Sequence, residues 1–562
     1  MNAHAFEAES RAAVYDAIAS RRDIRRGFTM DPIEDAALAR ILAAAHQAPS
    51  VGLSQPWDFL LIRDVEQRHR IQVLAARQRD TFAASLPTGR TRLFDGIKVE
   101  AILATPLNIV VTCDPTRGGP YTLGRHADPR MAPFSAALAV QNLWLAARAE
   151  GIGVGWVSFF DPDELARELN LPAYLDVVAY LCVGHVEQFP PAPELALSGW
   201  ARRRPLAWAV HDETFGDRRL PGGVPVSLLT ETVAAIVPAS AEVMAAAVER
   251  HSMLTKPRGS LGALEELGTR LCGMYGECPP PLPEPVAVAV FAGDHGVHAQ
   301  GVSPWPQEVT TQMVGNFLAG GAVINAFGRQ VGAEVVVVDI GVAGEVPAAP
   351  GLMARKIAAG TADMSKGPAM TPGQVQAALE VGIDVARDLV AQGNRLLVTG
   401  DMGIANTTAS AALISIFTGL DVAQVTGRGT GIDDLMLAHK VSVIESAIRV
   451  NAASLQDPVA ALAGVGGYEH AGMVGFLLAA AALRTPVILD GVIACSAALV
   501  AKAISPDAAD YWVAGHRSVE PGASAALAHL GLVPLVDLGM RLGEGSGAAL
   551  AVPLVQASAR IL

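Results

Sequence analysis

The amino-acid sequence predicts two domains of different fold class, an α+β domain followed by an α/β domain built on a parallel sheet. In the first part of the chain, helical and strand-like patterns alternate, with few of the turn signals that mark an all-β protein. In the second part, short apolar runs each end at a loop of Gly, Asp or His, as buried parallel strands do. The length of 562 residues suits roughly two to four domains of about 150 residues.

Composition and charge argue against several classes of protein. Hydrophobic residues make up 51% of the chain and charged residues 17%, so large buried cores are expected and global disorder is not. The net charge of −13 argues against a general nucleic-acid binder. The longest uncharged apolar run, residues 471–483, is shorter than the ~20 residues that a membrane span needs. It therefore predicts a buried helix.

The cysteines and the N-terminal segment predict a cytoplasmic protein. The five cysteines are odd in number and match no zinc or disulfide spacing, which fits a reducing compartment. The first residues contain early acids and no apolar core, so they do not form a signal peptide.

A change of composition in the middle of the chain predicts the domain boundary. We expect a first domain over residues 1–215, a linker over 216–228 and a second domain over 229–562. The linker segment GDRRLPGGVPVS is rich in Pro, Gly and Arg. A second proline cluster, residues 277–285, follows too soon to close a separate domain, because about fifty residues would be marginal alone.

The first domain contains predicted helices and strands in alternation. A helix is expected over residues 133–151, where apolar residues recur at helical spacing and a glycine follows. Another is expected over 161–170, with Asp161 as its cap and Pro162 in its first turn. The segments WDFLLI, LNIVVTC and VVAYLCVGHV are the expected strands.

The apolar runs of the second domain predict a Rossmann-like parallel sheet, accompanied by a small helical subdomain. In open α/β sheets, ligands bind outside the carboxyl ends of the strands. The polar loops after the runs should therefore meet in one crevice. The runs are VAVAVFAGDHG, AEVVVVDIGV, RLLVTGDMG, TPVILDG and DYWVAGH.

The stretch DLGMRLGEGSGAAL, residues 537–550, places one carboxylate, Glu544, among glycines. A surface turn would use the same glycines, because glycine permits unusual dihedral angles. Near a crevice, a single acid among main-chain donors suits a general base better than a nucleophile. A metal site is not expected, because Asp294, His295 and His298 are followed by no further ligands at a standard spacing.

A series of loop motifs in the second domain carries a resemblance to a known family. The motifs are TKPRGSLGALE, FAGDHGV, GVSPWPQEVT, KIAAGTADM, GIANTT, GRGTGIDD, LDG, AGHRSVEPG and LGMRLGEGSGAA. Over roughly residues 229–562 the chain resembles nicotinate-nucleotide:dimethylbenzimidazole phosphoribosyltransferases. The resemblance implies transfer of phosphoribose from nicotinate mononucleotide to dimethylbenzimidazole, with α-ribazole phosphate and nicotinate as products. It also carries the role of catalytic base over to Glu544.

The same resemblance implies a set of substrate-binding residues. Asp401 stands where the family often has a glutamate, and Ala405 replaces a glycine. Lys440 is either a counter-ion for the phosphate or a solvated helix lysine. His470, in GGYEHAG, is atypical and suits packing better than catalysis. The expected substrate-binding residues are Asp294, His295, Asp401, Asn406, Thr407, Gly427, Arg428 and Lys440.

Three segments of the first domain suit a ligand with a phosphate and a flat ring. RRDIRRGF (21–28) clusters arginines around Asp23, although such a run is often a solvated face. APSVGLSQPWDF (48–59) adds a Ser/Gln/Trp loop. GIGVGWVSFF (151–160) is a glycine-spaced strand that would let a flat ring approach the backbone. Over roughly residues 10–215 these segments resemble the nitroreductase fold, and most closely the dimethylbenzimidazole synthases within it.

This second resemblance implies that reduced FMN is a substrate, which reacts with O2 and fragments to dimethylbenzimidazole and erythrose 4-phosphate. It implies Asp23 as a proton-transfer group and Ser158 beside the isoalloxazine edge. Arg202 lies in a run of arginines that could equally be an exposed linker stretch. The expected contacts to the phosphate and ribityl chain are Arg21, Arg22, Arg25, Ser50 and Arg202.

The two resemblances together imply a bifunctional enzyme of cobalamin lower-ligand assembly, because the product of the first reaction is a substrate of the second. Two alternatives remain open: an ordinary NAD(P)H-dependent nitro- or flavin reductase fused to the transferase, and a chain in which one half only binds ligand. The expected partners are small-molecule substrates and a flavin reductase that supplies reduced FMN. A homodimer or higher homo-oligomer is expected, and no nucleic acid or membrane span.

Overall fold

The structure is a computed structural model that describes residues 5–223 and 227–562, except the side chain of residue 454. The chain forms two compact units. The first ends at Leu86 and resumes over Thr91–Ala201, and the second comprises Pro87–Arg90 and Arg202–Leu562. The domain boundaries expected from composition stay predictions, and residues 224–226 of the expected linker lie outside the described residues.

The first unit is built on a four-stranded antiparallel sheet in the order β1-β2-β4-β3. The strands are β1 (Trp57–Ile62), β2 (Leu107–Cys113), β3 (Ile152–Val157) and β4 (Asp176–His185). The three expected strand segments are confirmed to within one residue. β2 is buried along its whole length, so the core covers both faces of the sheet.

Helices surround this sheet. The expected helix over 133–151 is confirmed as α5, and that over 161–170 as the shorter α6, where Asp161 accepts a hydrogen bond from the backbone N–H of Glu164 at 2.9 Å. The helices are α1 (Ala8–Ser20), α2 (Asp35–His46), α3 (Val65–Ser85), α4 (Thr88–Asp95), which crosses the division between the units, α5 (Met131–Ala149), α6 (Pro162–Glu168) and α7 (Glu194–Leu197).

The second unit contains a six-stranded parallel sheet in the order β10-β9-β8-β5-β6-β7, which confirms the expected α/β class. All five apolar runs are strands. β7 was not predicted; it has only three residues and lies at the edge of the sheet. The strands are β5 (Val286–Gly293), β6 (Ala333–Gly341), β7 (Leu352–Ala354), β8 (Leu396–Met402), β9 (Val487–Leu489) and β10 (Trp512–Ala514).

Helices precede the sheet and connect its strands. The helices before the sheet are α8 (Leu228–Ala234), α9 (Ala241–Met253) and α10 (Ala263–Tyr275). The connecting helices are α11 (Glu308–Leu318), α12 (Val323–Val331), α13 (Pro372–Ala391), α14 (Asn406–Thr418), α15 (Val422–Val425), α16 (Asp434–Val450), α17 (Pro458–Val465), α18 (Tyr468–Ala482) and α19 (Val492–Ile504). After the last strand, the fold ends with α20 (Pro521–Leu530) and α21 (Ser546–Arg560).

The expected buried helix at 471–483 is confirmed as α18, which is buried over Tyr468–Ala481. Its backbone touches that of α13, because a Cβ on Gly475 would lie 1.9 Å from the carbonyl oxygen of Leu379. Only glycine permits this approach. The packing fixes the N-terminal turn of α18 at the carboxyl end of β5. Within the described ranges, no helix is long and apolar enough to cross a membrane.

Candidate functional site

Loops at the carboxyl ends of β8, β9 and β10 enclose a cavity of about 320 Å³ in the second unit. Parallel strands place these ends along one edge of the sheet, which is where the sequence predicts a crevice. The apolar lining includes Val302, Val309, Met313, Ile493 and Leu542. The polar lining includes Asp401, Asn406, Thr407, Arg428, Lys440, His516, Glu520, Arg541 and Glu544.

Glu544 lies in the wall of this cavity and is 5% exposed. Its φ angle is +66°, and its neighbours Gly543 and Gly545 have φ angles of +82° and +92°. A left-handed backbone is unfavourable for glutamate, by roughly 1–3 kcal/mol, so the surroundings must hold it in place. The turn is tightly enclosed, because a Cβ on Gly400 in β8 would lie 2.5 Å from the carbonyl oxygen of Glu544.

A backbone N–H group contacts the carboxylate of Glu544 and favours its charged form. Oε2 accepts a hydrogen bond from the backbone N–H of Ile324, in the first turn of α12, at 3.2 Å. Burial nevertheless raises the pKa of Glu544, the Ile324 N–H opposes this shift, and the negative charge of Asp490 adds to it. A carboxylate with a raised pKa accepts a proton more readily near neutral pH.

Asp401 also lines the cavity, at the carboxyl end of β8. Its Oδ2 accepts a hydrogen bond from Nδ2 of Asn406 at 2.9 Å, and Oδ1 is buried without a hydrogen-bond partner among the residues described. Burial and then the charges of Asp490, Glu469 and Glu544 raise the pKa of Asp401 well above its usual range. The cavity thus brings two acids of raised pKa together.

Lys440 is buried and lines the cavity, so the alternative of a solvated helix lysine is wrong. Its Nζ donates to Oγ1 of Thr407 at 2.8 Å and lies 3.4 Å from the carbonyl oxygen of Gly427. Burial lowers the pKa of Lys440 to about 8, and the nearby carboxylate of Glu520 partly opposes this effect. An ammonium group at this position can form an ion pair with an anion that binds in the cavity.

The loop 427–433 is held by ion pairs and close contacts. The guanidinium of Arg428 pairs with Asp434 and donates to the carbonyl oxygen of Ile432 at 2.9 Å. Gly427 is not among the described lining residues. A Cβ at Gly427 would lie 1.7 Å from Oε2 of Glu520, so glycine is required for the approach of this carboxylate.

Asp294 and His295 are not among the described residues that line the cavity. Oδ2 of Asp294 accepts from the backbone N–H of Ala343 at 2.8 Å, and Nε2 of His295 lies 2.7 Å from Oε1 of Glu469. Both are buried behind the loop that carries Gly403. Their expected substrate contacts stay predictions that this geometry does not favour.

Four polar residues of the cavity region were missed as site candidates from sequence. Asp490 directly follows β9, and its oxygens accept from the N–H groups of Gly545 at 3.1 Å and Ala548 at 2.9 Å. Nε2 of His516 lies 3.4 Å from Oδ1 of Asp490. Each of the four stands in a quoted motif, and Asp490 and His516 also lie just after a strand, so both features were usable signals. They are Asp490, His516, Glu520 and Arg541.

One group of buried side chains in the described part of the chain has the composition of a metal site. His295, Glu469 and His470 each offer a ligand atom, and these atoms lie within 4.8 Å of one another. His470 is not a simple packing residue, because its Nε2 lies 2.8 Å from Oγ of Ser410.

In the first unit, Asp23 lies beside β3. Its Oδ1 accepts from the backbone N–H of Trp156 at 2.9 Å, and its Oδ2 pairs with Arg25 at 2.5 Å. Ser158 is exposed directly after the end of β3. Oγ of Ser50, in a separate loop, accepts from the backbone N–H of Gln55 at 3.0 Å.

The glycines of β3 make room for protein rather than for a ring, which corrects the sequence interpretation. A Cβ on Gly155 would lie 2.1 Å from the carbonyl oxygen of Ile24. A Cβ on Gly153 would lie 2.5 Å from Val186 and 3.0 Å from Phe28. The arginine-rich segment therefore runs along β3. Asp23 pairs with Val154 there, and its side chain reaches the backbone N–H of Trp156.

Within the first unit, the guanidinium groups of Arg21 and Arg22 contact different parts of the protein. The Arg22 guanidinium donates to the carbonyl oxygens of Pro190 and Pro191 at 3.1 and 2.9 Å. That of Arg21 lies over the ring of Trp144, 4.7 Å from its centroid. Arg202 belongs to the second unit, and its backbone N–H donates to the carbonyl oxygen of Ala391 at 2.6 Å.

Comparison with known proteins finds a match for each part of the chain. Residues 236–562 match a family model described as phosphoribosyltransferase, and residues 18–185 match the nitroreductase family. A nicotinate-nucleotide–dimethylbenzimidazole phosphoribosyltransferase of Salinispora tropica is 57% identical over 349 residues, 60% of this chain and 96% of the relative. That of Chloroflexus aggregans is 53% identical over 337 residues, 60% of this chain and 95% of the relative. The crystal structure of the Thermus thermophilus enzyme of this name is 45% identical, with a TM-score of 0.55, over 57% of this chain and 96% of that chain.

Proposed function

The chain belongs to the phosphoribosyltransferase family through residues 236–562, and from this premise we propose that its second unit acts on nicotinate mononucleotide and 5,6-dimethylbenzimidazole. These substrates are named for relatives that are 57% and 53% identical to this chain over the matched residues. The observation that carries the proposal is the position of Glu544, a buried acid of raised pKa in the wall of a half-apolar cavity. An apolar face and one base are what a planar heterocycle with an acidic N–H requires.

The proposed reaction uses Glu544 as its base. One nitrogen of dimethylbenzimidazole forms a bond to the anomeric carbon of the nucleotide, and the bond from that carbon to the pyridinium nitrogen breaks. The bonding pair neutralises the pyridinium, so nicotinate leaves without needing a proton. The N–H proton of the attacking ring passes to the carboxylate of Glu544, whose Oε2 is held by the Ile324 N–H.

The cationic side of the cavity suits the phosphate of the nucleotide. Lys440 is a buried cation there, and Arg428 and Arg541 also line the cavity. Arg541 donates to the carbonyl oxygen of Gly429 at 2.8 Å. Asn406 and Thr407, in the first turn of α14, present polar side chains to the same space. Asp401 stands between them and Glu544, where it suits a ribose hydroxyl, since a protonated acid can donate as well as accept.

The first unit has the nitroreductase fold, and we propose that it converts reduced FMN and O2 into dimethylbenzimidazole. Asp23, which is paired with Arg25, and the exposed hydroxyl of Ser158, which follows β3, suit the edge of a flavin ring. Asp23 would hold or move a proton there. FMN itself would supply the atoms of the product. The ordinary reductase remains the second candidate, because the nitroreductase match is to the family as a whole.

A homodimer is part of the proposal. No residue of α1 is buried, and α1 and α5 expose large apolar side chains, which is typical of a surface that a second copy covers. The exposed set is Val14, Tyr15, Ile18, Phe134 and Leu138. Light scattering of the full chain should give twice its mass, and a monomer with bound FMN would contradict the dimer.

One experiment tests both activities and keeps them separate. The purified chain receives reduced FMN, O2 and nicotinate mononucleotide, and α-ribazole phosphate is measured by mass spectrometry. A parallel reaction receives dimethylbenzimidazole instead of FMN. Product in both reactions supports both assignments. Product in the second alone, with oxidised FMN recovered intact, favours the reductase, and no product in either overturns the transferase assignment.

A further inference from the structure

His295, Glu469 and His470 form a buried charged cluster behind the cavity. Their side chains are at most 1% exposed. Nε2 of His295 bonds to Oε1 of Glu469 at 2.7 Å, and Nδ1 of His470 lies 2.6 Å from the same oxygen. Burial raises the pKa of Glu469, but the two imidazoles lower it by more. The net pKa is therefore below the ordinary value, and the carboxylate stays charged.

The spacing of these atoms favours a charge network over a metal site. Zinc holds imidazole nitrogens and carboxylate oxygens at about 2.0–2.2 Å, which places tetrahedral ligand atoms roughly 3.3 Å apart. Here one carboxylate oxygen lies between the two ring nitrogens at 2.7 and 2.6 Å. Oε1 of Glu469 is thus within direct contact distance of both ring nitrogens, as in a network of charged side chains.

The cluster reaches the cavity through Ser410 in α14. Nε2 of His470 lies 2.8 Å from Oγ of Ser410, and that hydroxyl is also 3.1 Å from the carbonyl oxygen of Asn406, one turn earlier. The Asn406 side chain donates to Asp401, and Thr407 accepts from Lys440. A continuous set of contacts therefore runs from the cluster to the polar wall of the cavity.

The start of α14 needs such support. Its cap position is Ala405, which has a φ angle of +76°, and no described side chain caps the helix. The backbone N–H of Ile404 is held by Oγ1 of Thr310 at 3.1 Å. A strained, uncapped helix start opens more easily unless tertiary contacts hold its first turns.

We propose that His470, anchored by Glu469, is a positioning residue: through Ser410 it holds the first turn of α14, and with it Asn406 and Thr407, in the geometry that binds the nucleotide. The binding role of that wall rests on the proposed function. The support of α14 rests on the contacts alone.

The test uses four variants of the full chain and one control. His470→Leu and Ser410→Ala each remove one side of the contact, and their combination tests whether the two act as one unit. His470→Gln replaces the imidazole with an amide that can still form a hydrogen bond to Ser410. Ser558→Ala is the matched control, because Ser558 is also fully buried and donates to a carbonyl four residues earlier, Leu554 at 2.9 Å, near the C-terminal end of α21.

Hydrogen exchange of the free protein gives a readout that needs no activity. The amides of residues 404–408 should exchange about fivefold faster in His470→Leu and Ser410→Ala, but not in Ser558→Ala. KM for nicotinate mononucleotide should rise by a similar factor, His470→Gln should recover part of it, and the double variant should be no worse than either single one.

Three results would overturn the proposal. The first is exchange at 404–408 unchanged in both single variants. The second is a double variant whose effects simply add. The third is about one equivalent of zinc in the wild-type protein that His470→Leu loses, since the cluster would then be a metal site. A wild-type chain that forms no α-ribazole phosphate defeats the proposed function, while the exchange measurement still decides the role of His470.

Discussion

Gly545, the residue directly after Glu544, donates its backbone N–H to Oδ2 of Asp490 at 3.1 Å. The other oxygen of Asp490 accepts from the N–H of Ala548 at 2.9 Å, so one side chain satisfies two of the free donors at the start of α21. Asp490 therefore holds the strained turn on which Glu544 stands. Its charge also acts on Glu544, whose pKa it helps to raise.

Asp490→Asn should impair both the stability and the pH profile of the transferase. The amide keeps one acceptor and turns an NH2 group toward the other donor, so the free energy of unfolding should fall by about 1 kcal/mol. Loss of the negative charge should lower the pKa of Glu544, so the acid limb of kcat/KM should move to lower pH. Asp457 caps α17 through the N–H of Ala460 at 2.8 Å, and Asn caps a helix about as well as Asp, so the control Asp457→Asn should leave both the stability and the acid limb nearly unchanged. An unmoved acid limb in Asp490→Asn would refute the electrostatic role.

Glu544→Gln should lower kcat for α-ribazole phosphate by about a hundredfold or more, because the amide cannot take the proton. The amide oxygen can still accept from the Ile324 N–H, so the fold should persist. A folded-state pKa above the ordinary value means that ionisation costs stability as pH rises through it. The variant should therefore be as stable as wild type at pH 7, or more so. Glu445→Gln, an exposed acid on α16, is the control, and a Glu544→Gln enzyme of wild-type kcat would remove the assignment of the base.

Affinity for nicotinate mononucleotide should weaken above pH 8. The pKa of Lys440 is lowered to about 8, so its ammonium group loses its proton over this range and KM should rise. Lys440→Met should show a high KM at every pH, with no such dependence. Because the unfolded lysine keeps its proton to higher pH, wild-type stability should gain relative to the variant above pH 8. Lys366→Met, at an exposed lysine, should behave as wild type, and a pH-independent wild-type KM would argue against Lys440 as the counter-ion.

Asp23→Asn should lower the yield of dimethylbenzimidazole from reduced FMN in air about a hundredfold. The amide oxygen can still accept the Trp156 N–H, so the change removes mainly the charge that pairs with Arg25. The product is measured by chromatography and mass spectrometry. Asp128→Asn, which breaks an exposed ion pair with Arg130 in the same unit, is the matched control. Equal yields from Asp23→Asn and wild type would exclude Asp23 from the chemistry.

Local patterns were enough to predict the strands and the edge of the sheet at which the cavity lies. An apolar run followed by a polar glycine loop is a feature of neighbouring residues, and it predicted β5, β6, β8, β9 and β10. β7 was missed because three residues at a sheet edge give too short a pattern. The spacing of Gly153 and Gly155 could be read from the sequence. The sequence did not show which residues pack against these two glycines.

The sequence by itself determined the two fold classes, the motifs and the choice of Glu544, because each depends on residues close together in the chain. Only the tertiary structure decided that Lys440 is buried, that Asp490 holds the turn of Glu544, and that His470 meets Ser410, 60 residues away. The physical reason is that burial and hydrogen bonding between distant segments depend on how helices and strands pack. A residue's pKa and partners follow from that packing, and no pattern of neighbouring residues encodes them.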